Sequence, residues 1–212
     1  MSGLHLTRPH LCLVTDPEKP DLIQKVERAL AAGVTMLQLR GHTLSSARLY
    51  ALALALRPLC QRYHALFIVN DRVDVGLATD ADGFQLGGHS LPLTTARQLV
   101  GEHFLLGVSV HSPEEARIAT VGGADFLLVG TIFPSPSHPG EAGSGPQLVS
   151  ALKDMGLTLP LLAIGGITSA NAQQVIQAGA DGIAVLSAIL DAADIEQAVR
   201  ELRAAIALQT GG

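Results

Sequence analysis

The sequence predicts an α/β fold, a single-domain (β/α)8 TIM barrel over residues 1–212. Three observations predict it. Short apolar runs alternate with stretches of helical apolar spacing, and the alternation repeats eight times along the chain. The runs are apolar throughout, as strands buried on both faces must be, and most end in polar residues or glycine. Eight evenly spaced units in 212 residues favour a closed barrel over a doubly wound open sheet, the structural competitor.

Taken in order, Leu11–Thr15 is a first strand, and Asp16-Pro17 opens the turn after it. Leu22–Ala32 carries apolar residues at 22, 23, 26, 29, 30 and 32, a helical face that Gly33 ends. Val34–Leu39 is strand two, with Arg40 at its carboxyl end. Leu44–Arg62 is a long helix that Pro58 should bend or shorten. Leu66–Val69 is strand three and delivers Asn70-Asp71. A short helix over Val73–Ala78 precedes strand four, Gly83–Leu86, which runs into Gly87-Gly88-His89-Ser90. Pro92–Val100 is helical, and Leu105–Ser109 is strand five, leading to Val110-His111. Ser112, Pro113 and Glu115 form a capping-box start for the next helix. Asp125–Val129 is strand six. A Pro/Gly/Ser loop from Gly130 to Gly145 follows, the one connection long enough to suggest an active-site lid, and then a helix at about Pro146–Met155.

The remainder, Leu161 to Ala188, organises the chain. Leu161–Ile164 is strand seven, Gly165-Gly166 a turn, Ser169–Ala178 a helix ended by Gly179, and Asp181–Val185 strand eight before Leu186-Ser187-Ala188. Parallel neighbours bring both turns together. Their backbone N–H groups can surround a phosphate, a recurrent use of the loops after strands seven and eight of such barrels. The bland alternative is that these glycines only permit tight turns. Asp194–Leu208 is the last helix.

Composition excludes several classes. A net charge of −5 and a pI near 5.9 argue against a nucleic-acid partner. The longest apolar segment, Leu49–Leu56, is far too short to span a membrane, and residues 1–10 hold no apolar run like a signal peptide. Cys12 and Cys60 show no metal-ligand spacing and read as buried small residues of a reducing compartment, so the expected localisation is cytoplasmic.

Barrel chemistry sits at the carboxyl rim, so the polar residues at strand ends are the candidates. These are Gln38, Arg40, Asn70, Asp71, Gln85, His89, Ser90, Ser109 and His111, with Ser135, Ser137 and His138 on the long loop. Arg40 is either a fork for a carboxylate or phosphate or one half of a structural ion pair. Asn70-Asp71 is either a ligand pair or, more in keeping with its position, an N-cap. A single carboxylate makes a poor Mg²⁺ site, and histidine is the natural proton carrier near neutral pH.

The segments LQLRGHT (37–43), IVNDRVDVGLATDADGFQLGGHSLP (68–92), GVSVHSPEEA (107–116), GADFLLVGTIFPSPSHPG (123–140), AIGGIT (163–168) and ADGIAVLSAI (180–189) occur in this order. Together they resemble the thiamine phosphate synthase/TenI family across nearly the whole chain. The resemblance implies the barrel fold and a place in thiamine biosynthesis. In the synthase branch, two aspartates hold Mg²⁺ while a pyrimidine diphosphate is joined to a thiazole phosphate. The first matches Asp71, but the second falls on Ser90. A synthase lysine falls on His42, and the Thr-x-Thr-Lys motif falls on Ser135-Pro136-Ser137-His138. LGGHSLP and GVSVHS are closer to the TenI-like thiazole tautomerase, although the tautomerase histidine position is Thr131 here.

The resemblance therefore implies an isomerase that aromatises a carboxythiazole phosphate tautomer by proton transfer. His138, His89 and His111 are the catalytic candidates. Gln38, Arg40, Asn70, Ser109, Thr131, Ser135, Ser137, Gly165, Gly166, Leu186 and Ser187 would bind substrate and phosphate. It implies a small phosphorylated thiazole as substrate, no cofactor and no metal, no nucleic-acid or membrane partner, and a homodimer. Mg²⁺ on Asp71 enters only in the alternative, a thiamine phosphate synthase; a non-catalytic phosphate-ligand sensor is the third reading.

Overall fold

Successive residues of the strands point alternately to two cores, which is why whole runs are apolar. The computed structural model describes residues 9–135 and 142–207. Its strands are β1 (His10–Val14), β2 (Met36–Leu39), β3 (Leu66–Asn70), β4 (Gly83–Leu86), β5 (Leu105–Val110), β6 (Phe126–Val129), β7 (Leu161–Ile164) and β8 (Gly182–Val185). All pair in parallel in sequence order, and β8 returns to β1 with Leu11 opposite Ile183, closing the barrel. Cys12, Val14, Met36, Ile68, Leu105, Phe126, Leu128, Leu162 and Ala184 fill the interior. Their strand neighbours, such as Leu11, Leu13, Leu37 and Phe67, face outward into the larger core between sheet and helices. Each such Leu contributes roughly 1.5–3 kcal/mol by leaving water.

Amphipathic helices cover the sheet. In α1 (Leu22–Ala32) the buried residues Leu22, Val26, Ala29 and Leu30 follow helical spacing, and Gly33 closes the helix at φ 114°. α2 (Ser46–Arg62) is capped by Ser45 and continues past Pro58 to Arg62, so the proline does not shorten it. α3 (Val73–Ala78), α4 (Leu93–Val100), α5 (Pro113–Val121) and α6 (Gln147–Asp154) lie close to their expected places. α7 (Ala172–Gln177) is shorter than Ser169–Ala178, because Asn171 Oδ1 accepts from Thr168 N–H (2.8 Å) and holds those residues in a turn. A four-residue helix, α8 (Ser187–Leu190), occupies what reads as a simple turn, and α9 (Ile195–Ala207) packs against α1.

An unanticipated device ties the end of the barrel opposite the rim. Asp82, Asp125 and Asp181 each follow an alanine and directly precede β4, β6 and β8. Each carboxylate accepts a backbone N–H from the neighbouring strand: Phe67 at 2.7 Å, Leu106 at 2.7 Å and Leu161 at 2.9 Å. Each also meets a cation from the helix layer: Arg57 (2.9 Å), Arg97 (2.5 Å) and Lys153 (2.8 Å). The three clamps join strand, strand and helix at the face where barrels invest in stability. No helix among the described residues is long and apolar enough to cross a membrane.

Candidate functional site

At the carboxyl rim the strand ends enclose a cavity of about 570 Å³. It is bordered by Gln38 and Arg40 from β2, Asn70 and Asp71 from β3, His89 after β4, and Ser109 and His111 from β5. Thr131 and Ser135 follow from the β6 loop, Gly165 and Gly166 from β7, and Leu186 and Ser187 from β8. Of the rim candidates that are described, all but Gln85 and Ser90 border this one space. Ser137 and His138 lie outside the described residues. Thr168 and His42 also border the cavity, although neither is among the candidates that the strand ends suggest.

On the β2–β4 side the polar groups form a chain. Gln38 Nε2 donates to Asn70 Oδ1 (2.7 Å), and Asn70 Nδ2 donates to Asp71 Oδ2 (2.6 Å). His42 Nδ1 stands 3.1 Å from the same carboxylate oxygen, while its Nε2 accepts from Arg40 Nε at 3.0 Å. The arginine can only donate, so the imidazole proton sits on Nδ1, facing Asp71. Ser90 Oγ accepts from Gly87 N–H (2.7 Å) and donates to Asp71 Oδ1. Asp71 adopts φ 59°, a left-handed conformation that aspartate tolerates better than most residues.

The capping role of Asn70-Asp71 is thereby corrected. The residue at the cap position of α3 is Arg72, it makes no side-chain cap bond, and both candidate side chains serve the rim. Arg40 has no carboxylate partner among the described residues; its backbone is held by buried Thr15, whose Oγ accepts from Arg40 N–H at 2.9 Å. The guanidinium's terminal nitrogens remain available for an anion.

The β7–β8 side is built from main chain. Gly165 and Gly166 adopt φ 101° and 60°. A Cβ on Gly165 would meet the Thr131 side chain at 2.5 Å, and one on Gly166 would collide with the Pro134 carbonyl. These glycines therefore do more than turn the chain. They let the β6 loop lie against the cavity, held by Ile132 N–H to Ile164 O (2.9 Å) and Phe133 N–H to Gly165 O (3.0 Å). His111 is fixed by two contacts: its backbone N–H reaches Glu115 (2.7 Å), and its Nδ1 donates to the Gly130 carbonyl. The second ring nitrogen is left for other partners.

Comparison with known proteins decides the family. The family model described as thiamine monophosphate synthase matches residues 11–189. The chain belongs to that family. It is 47% identical over 197 residues to the thiamine-phosphate synthase of Chlorobium luteolum, covering 92% of each chain. With that of Chlorobium limicola it shares 45% over 195 residues, again 92% of each. The solved thiamine phosphate pyrophosphorylase from Pyrococcus furiosus superposes with a TM-score of 0.86 at 37% identity, over 93% of this chain and 95% of that one. Members of this family are enzymes of thiamine biosynthesis, and the eight-stranded barrel is theirs.

These relatives overturn the expectation of a tautomerase-like isomerase, since they are synthases across more than nine-tenths of the chain. The physical reason lies around Asp71. The exchanges at 42 and 90 lower the charge, yet His42 and Ser90 both remain polar groups on that carboxylate. Reading them as the loss of a site gave charge too much weight over position.

Mg²⁺, which the synthase branch implies, can be tested on the donor set. Asp71 and Ser90 bring a carboxylate and a hydroxyl oxygen into contact, and among the described residues no group of three or more His, Cys, Asp or Glu could hold a metal. Mg²⁺ accepts one or two carboxylates with phosphate oxygens and water completing its shell. The residues fit a cation shared with a phosphorylated substrate rather than one caged by protein.

Proposed function

We propose that this chain is a thiamine phosphate synthase, a transferase that joins a pyrimidine diphosphate to a thiazole phosphate and releases diphosphate. The observation that carries the reading is the pair of unlike donor sets on opposite sides of one mouth. β2–β4 supply Arg40, His42, Asp71 and Ser90; β7–β8, across the barrel, supply the glycine turn and the Leu186-Ser187 backbone. A condensation of two phosphorylated rings needs one such set for each phosphorylated group, and the relatives that match this chain along its length are synthases. A space of about 570 Å³ suits two small rings held face to face.

In this reading the diphosphate lies against Arg40, whose planar fork makes paired charge-assisted bonds. Asp71 and Ser90 would hold Mg²⁺, which supplies charge neutralisation to the diphosphate when bound. The main chain of Gly165, Gly166, Leu186 and Ser187 holds the thiazole monophosphate, and Gln38, Asn70, Ser109, Thr131 and Ser135 border the rings. The methylene C–O bond of the pyrimidine breaks, and its electron pair leaves with the diphosphate. The thiazole ring nitrogen supplies the pair for the new C–N bond and becomes cationic. No proton need move in this exchange. The histidines at 89 and 111 are then polar walls around the diphosphate rather than acid–base groups. Stabilising charge on the departing group is the largest contribution such a site makes. The deciding experiment supplies both substrates and Mg²⁺ to the purified protein and follows thiamine phosphate by its conversion to a fluorescent thiochrome. No product at any Mg²⁺ concentration sinks the reading.

A further inference from the structure

Gln85 was noted at the end of β4 but does not border the cavity; it is 1% exposed and lies behind Ser109. Its Nε2 donates to Ser109 Oγ at 3.1 Å and to the Leu86 carbonyl at 3.4 Å. A carbonyl can only accept, which identifies the nitrogen end of the amide. Its Oε1 is buried without a hydrogen-bond partner, an arrangement that folded proteins avoid unless something is gained. The interior is shaped to keep the amide there. A Cβ on Gly107 of the adjoining strand would collide with Gln85 Oε1 and with the Phe126 ring.

A serine hydroxyl can donate once and accept twice. With one lone pair of Ser109 filled by the amide from behind, its single proton is left for the cavity it borders. We infer that Gln85 is a positioning residue that fixes Ser109 as a hydrogen-bond donor to a ring nitrogen of the pyrimidine substrate. The inference rests on the synthase reading above. It makes the site selective for rings with an acceptor nitrogen and sets that selectivity from a residue the substrate never touches.

The test compares Gln85→Met, Ser109→Ala and the double variant with the unmutated enzyme. The substrates are the pyrimidine diphosphate and analogues in which one ring nitrogen is replaced by C–H. Gln85→Met keeps the volume and removes both the donor and the unpaired oxygen. It should raise KM for the pyrimidine diphosphate about five- to tenfold, the worth of one hydrogen bond. The KM for thiazole phosphate should not change, and the melting temperature should hold or rise. In the Ser109→Ala background the same change should have no further effect, because Gln85 acts through that hydroxyl. An unchanged KM, or effects that simply add in the double variant, overturns the inference. Should the variants fail to fold, the unmutated enzyme decides. It must bind at least one C–H analogue about five- to tenfold more weakly than the parent, and equal affinity for all of them is fatal. Absence of thiamine phosphate from the unmutated enzyme removes the synthase reading itself, and this inference with it.

Discussion

In the proposed reading the two sides of the cavity mouth meet one task, gripping an anion, with different materials. The β2–β4 side uses side chains on three loops, linked through Asp71 to His42, Asn70 and Ser90. The β7–β8 side uses backbone at left-handed glycines pressed against the β6 loop. The difference teaches where sequence can drift. A side-chain site can exchange a lysine or an aspartate position for a histidine or a serine and keep its geometry. Gly165 and Gly166 cannot be exchanged in that way, because the Cβ of any other residue would enter its neighbour.

Substitutions should separate the two sides. The largest effect belongs to Arg40→Ala, which removes the fork facing the diphosphate. We expect kcat/KM for the pyrimidine diphosphate to fall about 10²–10³-fold, as for loss of a preorganised charge-stabilising group. The KM for thiazole phosphate should stay as it was, and a matching loss for both substrates would merge the two sites into one. Gly166→Ala tests the other side. Its φ of 60° costs an alanine about 1–2 kcal/mol, and the collision with Pro134 adds to that. Steady-state kinetics should show a rise of about tenfold or more in KM for thiazole phosphate, with the diphosphate KM little changed.

Ser90→Asp sharpens the comparison in the opposite direction. A second carboxylate beside Asp71 should lower the Mg²⁺ concentration giving half-maximal rate by about tenfold, in line with the ligand-charge dependence of such sites. A higher Mg²⁺ requirement would mean that like-charge repulsion at this pair outweighs the added ligand. The smallest effect lies outside both regions. Arg28 on α1 bonds Glu196 on α9 (Nε to Oε1, 2.7 Å), and this pairing holds the Glu196 carboxyl down from 4.5 to about 2. A depressed carboxylate contributes its stability above the unfolded pKa and loses it as pH falls from 4.5 towards 2. Arg28→Ala should raise the Glu196 pKa, read by NMR titration, and move the acid-unfolding midpoint slightly upward. Activity at neutral pH should not change.

The fold was legible because the chain signals it redundantly. Wholly apolar runs such as LCLV and LLAI suit only strands buried on both faces, and the amphipathic helices between them suit only an outer layer. Misreadings came where a local contact outweighs propensity. Asn171 turns residues that look helical, and α2 runs through Pro58. The candidate rim was legible too, because strand ends face one way in a parallel barrel. The reaction was not legible, because in the sequence Ser90 and His42 show only a lowered charge. Nothing in the order of residues says that the imidazole and the hydroxyl both bond the Asp71 carboxylate.

By itself, then, the sequence determined the eight-fold alternation, the glycine turn after strand seven, and the polar residues that close most strands. These depend on periodicity and on what one residue can or cannot adopt, which are local properties. Tertiary structure alone decided that Asp71 gathers three partners, that Asp82, Asp125 and Asp181 clamp the far end, and that Gln85 stands behind Ser109. Apart from the Asn70–Asp71 bond, these contacts join groups 15 or more residues apart on neighbouring strands or loops, and only closure of the barrel brings them within bonding distance.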